Sequence, residues 1–498
     1  MVERYSGSKE ARRKLTNPCL IATDVDKTIL AQIDDKEDER LRFVRNVAPQ
    51  LIRSARLGVN VAFLTGNSMK ELSNRILKWL IEQLCNAQEL YLLEKFHFFC
   101  NSGGVYVNFS SSDSKLSQVM NKGETERINA KDVLTIITKV DSTGELIIRP
   151  RFVDSSYLNR TSISENDIKE VISVMESVSE EYFSELTKKK DKFSETYDLD
   201  KVSTGNKLTR PYVEKRFVYH GSDRTPNSHS VQITLKPVLS FRHGKTEQKR
   251  DKLFKTESDL RKKYINKLCT SLEKKGLGIY VPRPGGRTSI DVTIEKLDKA
   301  YALRYLIDHL NVQGSSGKGQ LFGSNTIYLG DEVIVGGGND YVVSRIPGLF
   351  VLAVNEDKHL VPFSANIYVP HTLFQGPEAS TDFLTDFNKK ADELLKQHDS
   401  VANNSAKKGY TVFGNSVTEY KKDLFINRIK AKLTSLGTVS SDELQIMHAL
   451  VSLMSRNDTH ERQWISILVN ELNDIMAKLA VNRKAIPTAL GDSYDESQ

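Results

Sequence analysis

Two aspartates one residue apart, in Asp24-Val25-Asp26-Lys27-Thr28, follow directly on the apolar run Cys19–Thr23. Carboxylates just past a buried strand are costly unless a cation or hydrogen bonds neutralise them. In a doubly wound sheet that carboxyl end is where ligands bind. Three further polar elements close or follow other apolar runs. Thr65-Gly66-Asn67 ends Val59–Leu64; Lys299 stands in the first turn of a helix beginning near Asp298; and Gly330-Asp331 ends Thr326–Leu329, with Asn339-Asp340 after the glycine run Gly336–Gly338. Singly, each has an ordinary structural explanation: a helix cap, a turn threonine, a helix-end lysine, a loop aspartate. Their joint occurrence at successive strand ends is poorly explained by chance.

The elements that must position these residues are legible as a repeated pattern. Cys19–Thr23, Val59–Leu64, Phe96–Cys100, Thr326–Leu329 and Leu349–Val354 are apolar without alternation, as strands buried on both faces of a parallel sheet are. Between them, Leu41, Val44, Val47, Leu51 and Ile52 share one helical face, and so do Leu72, Ile76, Trp79, Leu80 and Leu84. Strand, helix, strand, helix predicts an α/β doubly wound core. The middle, from Val105 to Pro284, reads as an α+β insertion. Glu145–Arg151, Tyr212–His220 and Ser230–Val238 nearly alternate as antiparallel strands do, with helices over Glu165–Thr187 and Lys249–Lys275. Beyond Pro370 the chain predicts helices over Ser380–Gln397, Thr418–Leu436, Ser441–Met454 and Glu461–Leu479, the first two joined by a polar, mobile stretch, His398–Gly414. The expected division is therefore a core in two parts, 15–104 and 285–387, an inserted domain over 105–284, and a helical extension over 388–498. Gly314–Gly319 is a flexible loop; Gly319 after Lys318, and a helix rather than a strand before it, do not suit a phosphate-cradling P-loop.

Composition bounds the rest. The 498 residues exceed one compact core, and 39% hydrophobic with 27% charged residues suits globular domains. Met1–Lys14 is polar and charged, and no apolar run reaches the ~18 residues of a membrane span. Cys19, Cys85, Cys100 and Cys269 show neither metal-ligand spacing nor a pairing pattern, which suits reduced thiols and a cytoplasmic location. The net charge of +7 equals the excess between Arg242 and Lys275, where twelve Lys/Arg meet five Asp/Glu. Leu253, Leu260, Tyr264, Leu268 and Leu272 recur there at helical spacing, so a solvated helix face competes with an anion-binding patch. Such a patch could meet nucleic acid, a membrane surface or a phosphorylated small molecule, but the lack of zinc-finger spacing and of aromatic RNA-binding strands argues against a nucleic-acid partner.

The ordered set Asp24-x-Asp26-x-Thr28, Thr65, Lys299 and Gly330-Asp331 with Asn339-Asp340 resembles the four motifs of the haloacid dehalogenase (HAD) superfamily of phosphohydrolases and phosphotransferases, over roughly Pro18–Phe387. An insertion between the second and third motifs resembles the C2-capped branch, subclass IIB, which includes sugar-phosphate phosphatases and eukaryotic-type phosphomannomutase. Asn101-Ser102-Gly103-Gly104 is similar to that branch's turn into its cap, and Gly376-Pro377-Glu378 with Thr381 and Leu384 to its last core helix. Gly285-Gly286-Arg287-Thr288-Ser289-Ile290-Asp291-Val292 before Asp298-Lys299 resembles the mutase. The mutase's arginine-bearing cap motif has no clear counterpart here, and the insertion is longer. Lys27 stands where most relatives carry a small residue, and Asn67 where many carry Arg.

The resemblance implies a magnesium-dependent phosphomonoester hydrolase acting on a small phosphorylated metabolite, in particular a sugar phosphate. A cation between a carboxylate nucleophile and a phosphate dianion removes their repulsion, and an all-oxygen site suits Mg2+. Asp24 is then the nucleophile that forms a phosphoaspartyl intermediate. Asp26 is the acid and base, and its backbone carbonyl helps bind metal. Asp331 is a metal ligand and Asp340 a ligand or its support. Thr65 holds the phosphoryl oxygens and Lys299, with Lys296 as a fallback, offsets the carboxylates. Gly66, Asn67, Ser289 and Asp291 are the expected substrate-binding residues, and Arg149, Arg151, Lys215, Arg216, Lys236 and Arg242 lie on or near strands of the insertion. Two alternatives stand beside the hydrolase: a phosphosugar mutase, and a catalytically weak scaffold whose C-terminal helices bind a protein partner or self-associate; the stripe Leu444, Met447, Leu450, Val451 and Met454 suits such a face but suits packing onto neighbouring helices better.

Overall fold

The computed structural model of the chain describes residues 19–31, 36–109, 113–122, 126–141, 144–188, 212–220, 227–236, 262–285, 289–313, 325–333, 339–354, 367–369 and 375–402. The expected helices beyond 402, the loop at Gly314–Gly319 and Gly336–Gly338 lie outside these residues, as does most of the basic Arg242–Lys275 stretch.

Seven strands form the main sheet: β1 (Leu20–Thr23), β2 (Asn60–Leu64), β3 (Phe96–Cys100), β4 (Val105–Asn108), β11 (Thr326–Gly330), β12 (Phe350–Ala353) and β13 (Ile367–Tyr368). Their spatial order is β13-β12-β11-β1-β2-β3-β4. Pairing is parallel except between β3 and β4. The chain winds outward from β1 through β2 and β3, then returns to the other side of β1 with β11. The sheet direction of winding therefore switches between β1 and β11, the place where an α/β sheet opens a crevice at its carboxyl edge.

Both faces of the sheet are covered, which is why its strands read as unbroken apolar runs. Ile21, Val61, Phe63 and Ile327 pack into one cluster with helices α2 (Ala48–Arg56), α3 (Met69–Leu72) and α4 (Lys78–Asn86) and with Phe43 and Val47, which follow helix α1 (Lys36–Arg42). Leu20, Ala22, Ala62, Leu64 and Tyr328 face the opposite way, into a cluster with Ala302, Leu303 and Leu306 of a helix over Lys299–Gln313. One π turn joins α1 to α2 (Phe43–Val47) and another joins α3 to α4 (Ser73–Leu77).

The inserted region divides differently from the expectation. Its first strand, β4, closes the main sheet, and Phe109, with α5 (Ser114–Lys122), α6 (Ala130–Ile137) and β6 (Leu146–Ile148), contributes side chains to the same core cluster as β2 and β3, while β5 (Thr138–Val140) pairs with β6. Helix α7 (Ser155–Thr161) follows. A separate antiparallel sheet of four strands comes next: β7 (Tyr212–His220), β8 (Asn227–Lys236), β9 (Tyr280–Gly285) and β10 (Ser289–Ile294), in the order β7-β8-β10-β9. Helices α8 (Glu165–Lys188) and α9 (262–274) back it: Val171, Met175, Leu268 and Leu272 pack against Ile233, Leu235, Ile290 and Val292. Boundaries at 105 and 285 thus coincide with neither sheet. Apolar strands look alike in sequence whichever sheet they join, and pairing is decided through space.

Two sheets meet at the turn after β3. Asn101 (φ 51°), Ser102 (φ 56°) and Gly103 (φ 89°) are left-handed in succession, and a side chain on Gly104 would bring a Cβ to 2.8 Å from Val231 Cβ of β8. Only a bare backbone at 104 admits this approach. The Lys299–Gln313 helix is α10, and the last described helix, α11, runs unbroken over Gly376–Ala402. It crosses the boundary expected at 388. Asn388 is buried, accepts from Ser54 Oγ (2.8 Å) and donates to Gln50 O (2.9 Å), and Asp392 pairs with Arg53. Residues 398–402, the described part of the stretch expected to be mobile from His398, continue this helix. No described helix is long and apolar enough to cross a membrane.

Candidate active site

Asp24 sits one residue past β1, its N–H donating to Leu329 O (2.8 Å), so the β1–β11 pairing continues into the site. Asp331 follows β11 directly. Asp340 returns to the same place from the far side of the 334–338 segment. Carboxylate oxygens of Asp24, Asp331 and Asp340 lie within 4.8 Å of one another. Lys299 enters from the first turn of α10, whose start is set by Asp298: its Oδ1 accepts from Tyr301 N (2.7 Å). Lys299 is 2% exposed, and its ammonium donates to Asp24 Oδ1 (2.7 Å) and Asp340 Oδ1 (2.6 Å).

The three carboxylates have unequal surroundings. Asp340, fully buried, accepts from Lys299 and from Tyr328 OH (2.5 Å) on Oδ1, and from Glu332 N (3.1 Å) on Oδ2. Asp24 Oδ2 and both oxygens of Asp331 accept no hydrogen bond among the described residues. Open oxygens on Asp24 and Asp331, with Asp340 braced behind them, fit a hard divalent cation such as Mg2+, which takes few carboxylates and completes its shell with other oxygens.

The electrostatics agree with a site built for added positive charge. Burial raises the Asp24 carboxyl well above its ordinary range, with Lys299 opposing and Asp340 and Asp331 reinforcing. Asp331 is pushed up to about 7 by burial, then by Asp340 and Glu332, against the pull of Lys27 and Lys299. Burial works against the Lys299 ammonium, but attraction to Asp24 and Asp340 exceeds it and raises that group.

Asp26 is held on both oxygens. Asn67 Nδ2 donates to Oδ2 (2.8 Å), and Arg75 Nη1 donates to Oδ1 (3.2 Å). Asn67 thus contacts the acid/base candidate. Arg75 also donates to Glu39 (2.5 and 3.2 Å), a carboxylate with no exposed surface. Thr65 is buried at the end of β2, one strand over from Asp24, and its Oγ1 accepts from Asn67 N (3.0 Å). Gly66 has open space: an added Cβ would meet only Ser102 Oγ, at 3.8 Å.

Ser289 and Asp291 belong to the second sheet. Asp291 Oδ1 accepts from Thr234 Oγ1 (2.7 Å), and since Ile290 and Val292 face the helices, Asp291 lies on the opposite face. Lys296 is directed to the Tyr301 ring, 5.7 Å from its centroid, while Lys299 reaches the carboxylates. Arg149 and Arg151 donate to Thr135 O and Ile136 O, carbonyls in the last turn of α6, and Arg151 also pairs with Asp113 (2.8 Å). These two cap a helix. Lys215, Arg216, Lys236 and Arg242 have no described side chains.

Sequence reasoning missed Arg75, Glu39 and Tyr328. Glu39 lies in the charged run Lys36–Arg42, which reads as solvated; Arg75 lies on a helical stretch with no motif around it, and Tyr328 reads as one more apolar residue of the run Thr326–Leu329. In sequence, Gly330 reads only as part of Gly330-Asp331. An added Cβ there would lie 2.6 Å from Asp340 Oδ2 and 2.8 Å from Tyr328 Cε1. Gly330→Ala is therefore expected to displace Asp340, lowering magnesium affinity by about 10- to 100-fold in a calorimetric titration. Unchanged affinity would show that the Asp340 position is immaterial to cation binding.

No protein-family model and no curated protein matches the chain by sequence. Among solved structures it is similar to an N-terminally truncated, IMP-bound IMP-nucleotidase from Plasmodium falciparum, at 11% identity over 74% of this chain and 68% of that one, TM-score 0.37. It is similar to a haloacid dehalogenase-like hydrolase from Bacteroides thetaiotaomicron at 10% identity (74% and 99% covered, TM-score 0.37). A sucrose-phosphatase from Synechocystis, solved with sucrose and phosphate, is similar at 13% identity (75% and 98% covered, TM-score 0.35).

Proposed function

We propose that the chain is a HAD-type phosphomonoester hydrolase with an inserted cap of the C2 kind, dependent on magnesium. The observation that carries this reading is one cluster: Asp24 with an open oxygen, Asp331 and Asp340 around it, and a buried Lys299 bridging two of the three. Bound magnesium would offset repulsion between carboxylate and phosphate and stabilise charge on the transferring oxygens. Asp24 Oδ2 attacks phosphorus, the bond to the ester oxygen breaks, and a phosphoaspartyl group forms. Asp26, steadied by Asn67 and Arg75, gives its proton to the departing alkoxide and then takes one from the water that hydrolyses the intermediate. Thr65 hydrogen-bonds the phosphoryl group, and Lys299 holds Asp24 in place and adds positive charge.

The substrate class we favour is a sugar phosphate. Asp291 and Thr234, linked by a hydrogen bond on the non-helical face of the second sheet, suit a hydroxyl-rich leaving group. Purified protein with magnesium should release phosphate from members of a phosphate-ester panel, sugar phosphates foremost. No release from any ester would overturn the hydrolase. Interconversion of sugar phosphate isomers without net release would favour the mutase.

A further inference from the structure

Lys27 stands between the two aspartates of the first motif and Thr28, and its backbone is unusual. Its φ of 59° lies in the left-handed region, which a non-glycine residue adopts where its surroundings impose it. The surroundings here do impose it. Lys27 N donates to Leu30 O (2.7 Å) and Leu30 N to Val25 O (2.9 Å), closing a tight turn. Gly376 packs so closely from outside that a Cβ on it would lie 2.6 Å from Lys27 O. Glycine or asparagine suits such a turn better than lysine. What lysine adds is a long cation, and it is aimed: Nζ lies 3.8 Å from Asp331 Oδ2, with the side chain 38% exposed at the edge of the cluster.

Charge balance says what this cation does. With Asp24, Asp331 and Asp340 ionised and Lys299 bridging them, the cluster carries a formal charge of −2, and Lys27 reduces it to −1. A divalent cation then makes it +1, the sign that draws in a phosphate dianion; without Lys27 the loaded cluster would be neutral. Outside this count, Asp26 and Glu39 share Arg75, Lys36 also pairs with Glu39, and Glu332 is exposed to solvent.

We propose that Lys27 is a tethered counter-charge: its ammonium rests against Asp331 before a divalent cation binds, and turns to the phosphoryl oxygens of the substrate afterwards. This inference rests on the phosphohydrolase reading. It makes Lys27 a competitor of the metal and a partner of the substrate, so one substitution moves the two affinities in opposite directions.

The test is a pair of melting-temperature titrations on the full chain, magnesium alone and then inorganic phosphate at saturating magnesium. Lys27→Gly, which suits the left-handed turn, should bind magnesium about threefold more tightly, as loss of a partly exposed ion pair allows. It should bind phosphate about tenfold more weakly, as loss of a charged hydrogen-bond donor implies. Lys27→Arg should restore both. If Lys27→Gly keeps wild-type affinities, or weakens magnesium binding, while the wild type shows magnesium-dependent phosphate release, Lys27 has no such role and the hydrolase stands. If the wild type shows neither a magnesium-dependent melting shift nor phosphate release, the hydrolase falls and the role of Lys27 with it.

Discussion

Asp24→Asn should lower phosphate release by at least about a thousandfold, because an amide cannot form the covalent intermediate. The fold should survive, since asparagine has the same shape and Lys299 keeps Asp340 as a partner. A second consequence separates this from mere damage. A carboxyl whose folded pKa lies above its unfolded value contributes stability at low pH and loses it as pH rises. Burial, with Asp340 and Asp331, raises Asp24, and Asp331 is itself pushed from 3.8 to about 7. Without divalent cations, the wild type should therefore lose melting temperature as pH rises across that interval. Asp24→Asn removes one of the mutually repelling groups, so its decline should be shallower. Added magnesium should flatten the wild-type curve. Phosphate release by the variant at the wild-type rate would remove Asp24 from the role of nucleophile.

Lys299→Met should be the most destabilising single change at the site. The residue is 2% exposed, and its ammonium is bonded to two carboxylates at 2.7 and 2.6 Å. Methionine would leave both buried without their counter-charge, a change that costs about 3–5 kcal/mol when one partner of a buried pair is removed. Chemical denaturation reads the loss directly. The loss should be smaller when Lys299→Met is made in the Asp24→Asn background, because one of the stranded charges is already gone. Magnesium should raise the melting temperature of Lys299→Met more than that of the wild type, by supplying positive charge to the same oxygens. A variant that denatures with the wild type would show that Lys299 is not the counter-charge. Both tests differ in kind from Gly330→Ala, which shifts a carboxylate without changing any charge.

Much of the core is legible before any coordinates. The strands β1, β2, β3, β11 and β12 lie within a residue of their apolar runs, since a strand covered on both faces admits no alternation. The helix carrying Lys299 begins where Asp298 caps it. Polar residues at strand ends are conspicuous because they interrupt such runs. The limits of that reading are equally physical. Val105–Asn108 and Ser289–Ile294 look alike as short β-rich segments, yet one closes the main sheet and the other lies inside the second. Glu39 sits in a run of charges and is nevertheless fully buried, because Arg75 reaches it from another helix.

By itself, the amino-acid order determined the α/β winding, the second sheet's existence and the placing of Asp24, Thr65, Lys299 and Asp331 at strand or helix ends, since periodicity and capping are local properties. Tertiary structure alone decided that Asp340 is braced by Tyr328 and Lys299, that Asn67 and Arg75 grip Asp26, and that Gly330 must be bare to let Asp340 approach. Those contacts join residues up to 49 positions apart, and the bond from Lys299 to Asp24 spans 275. Distance along the chain carries no information about them, because they exist only once the sheet has set its strand ends side by side.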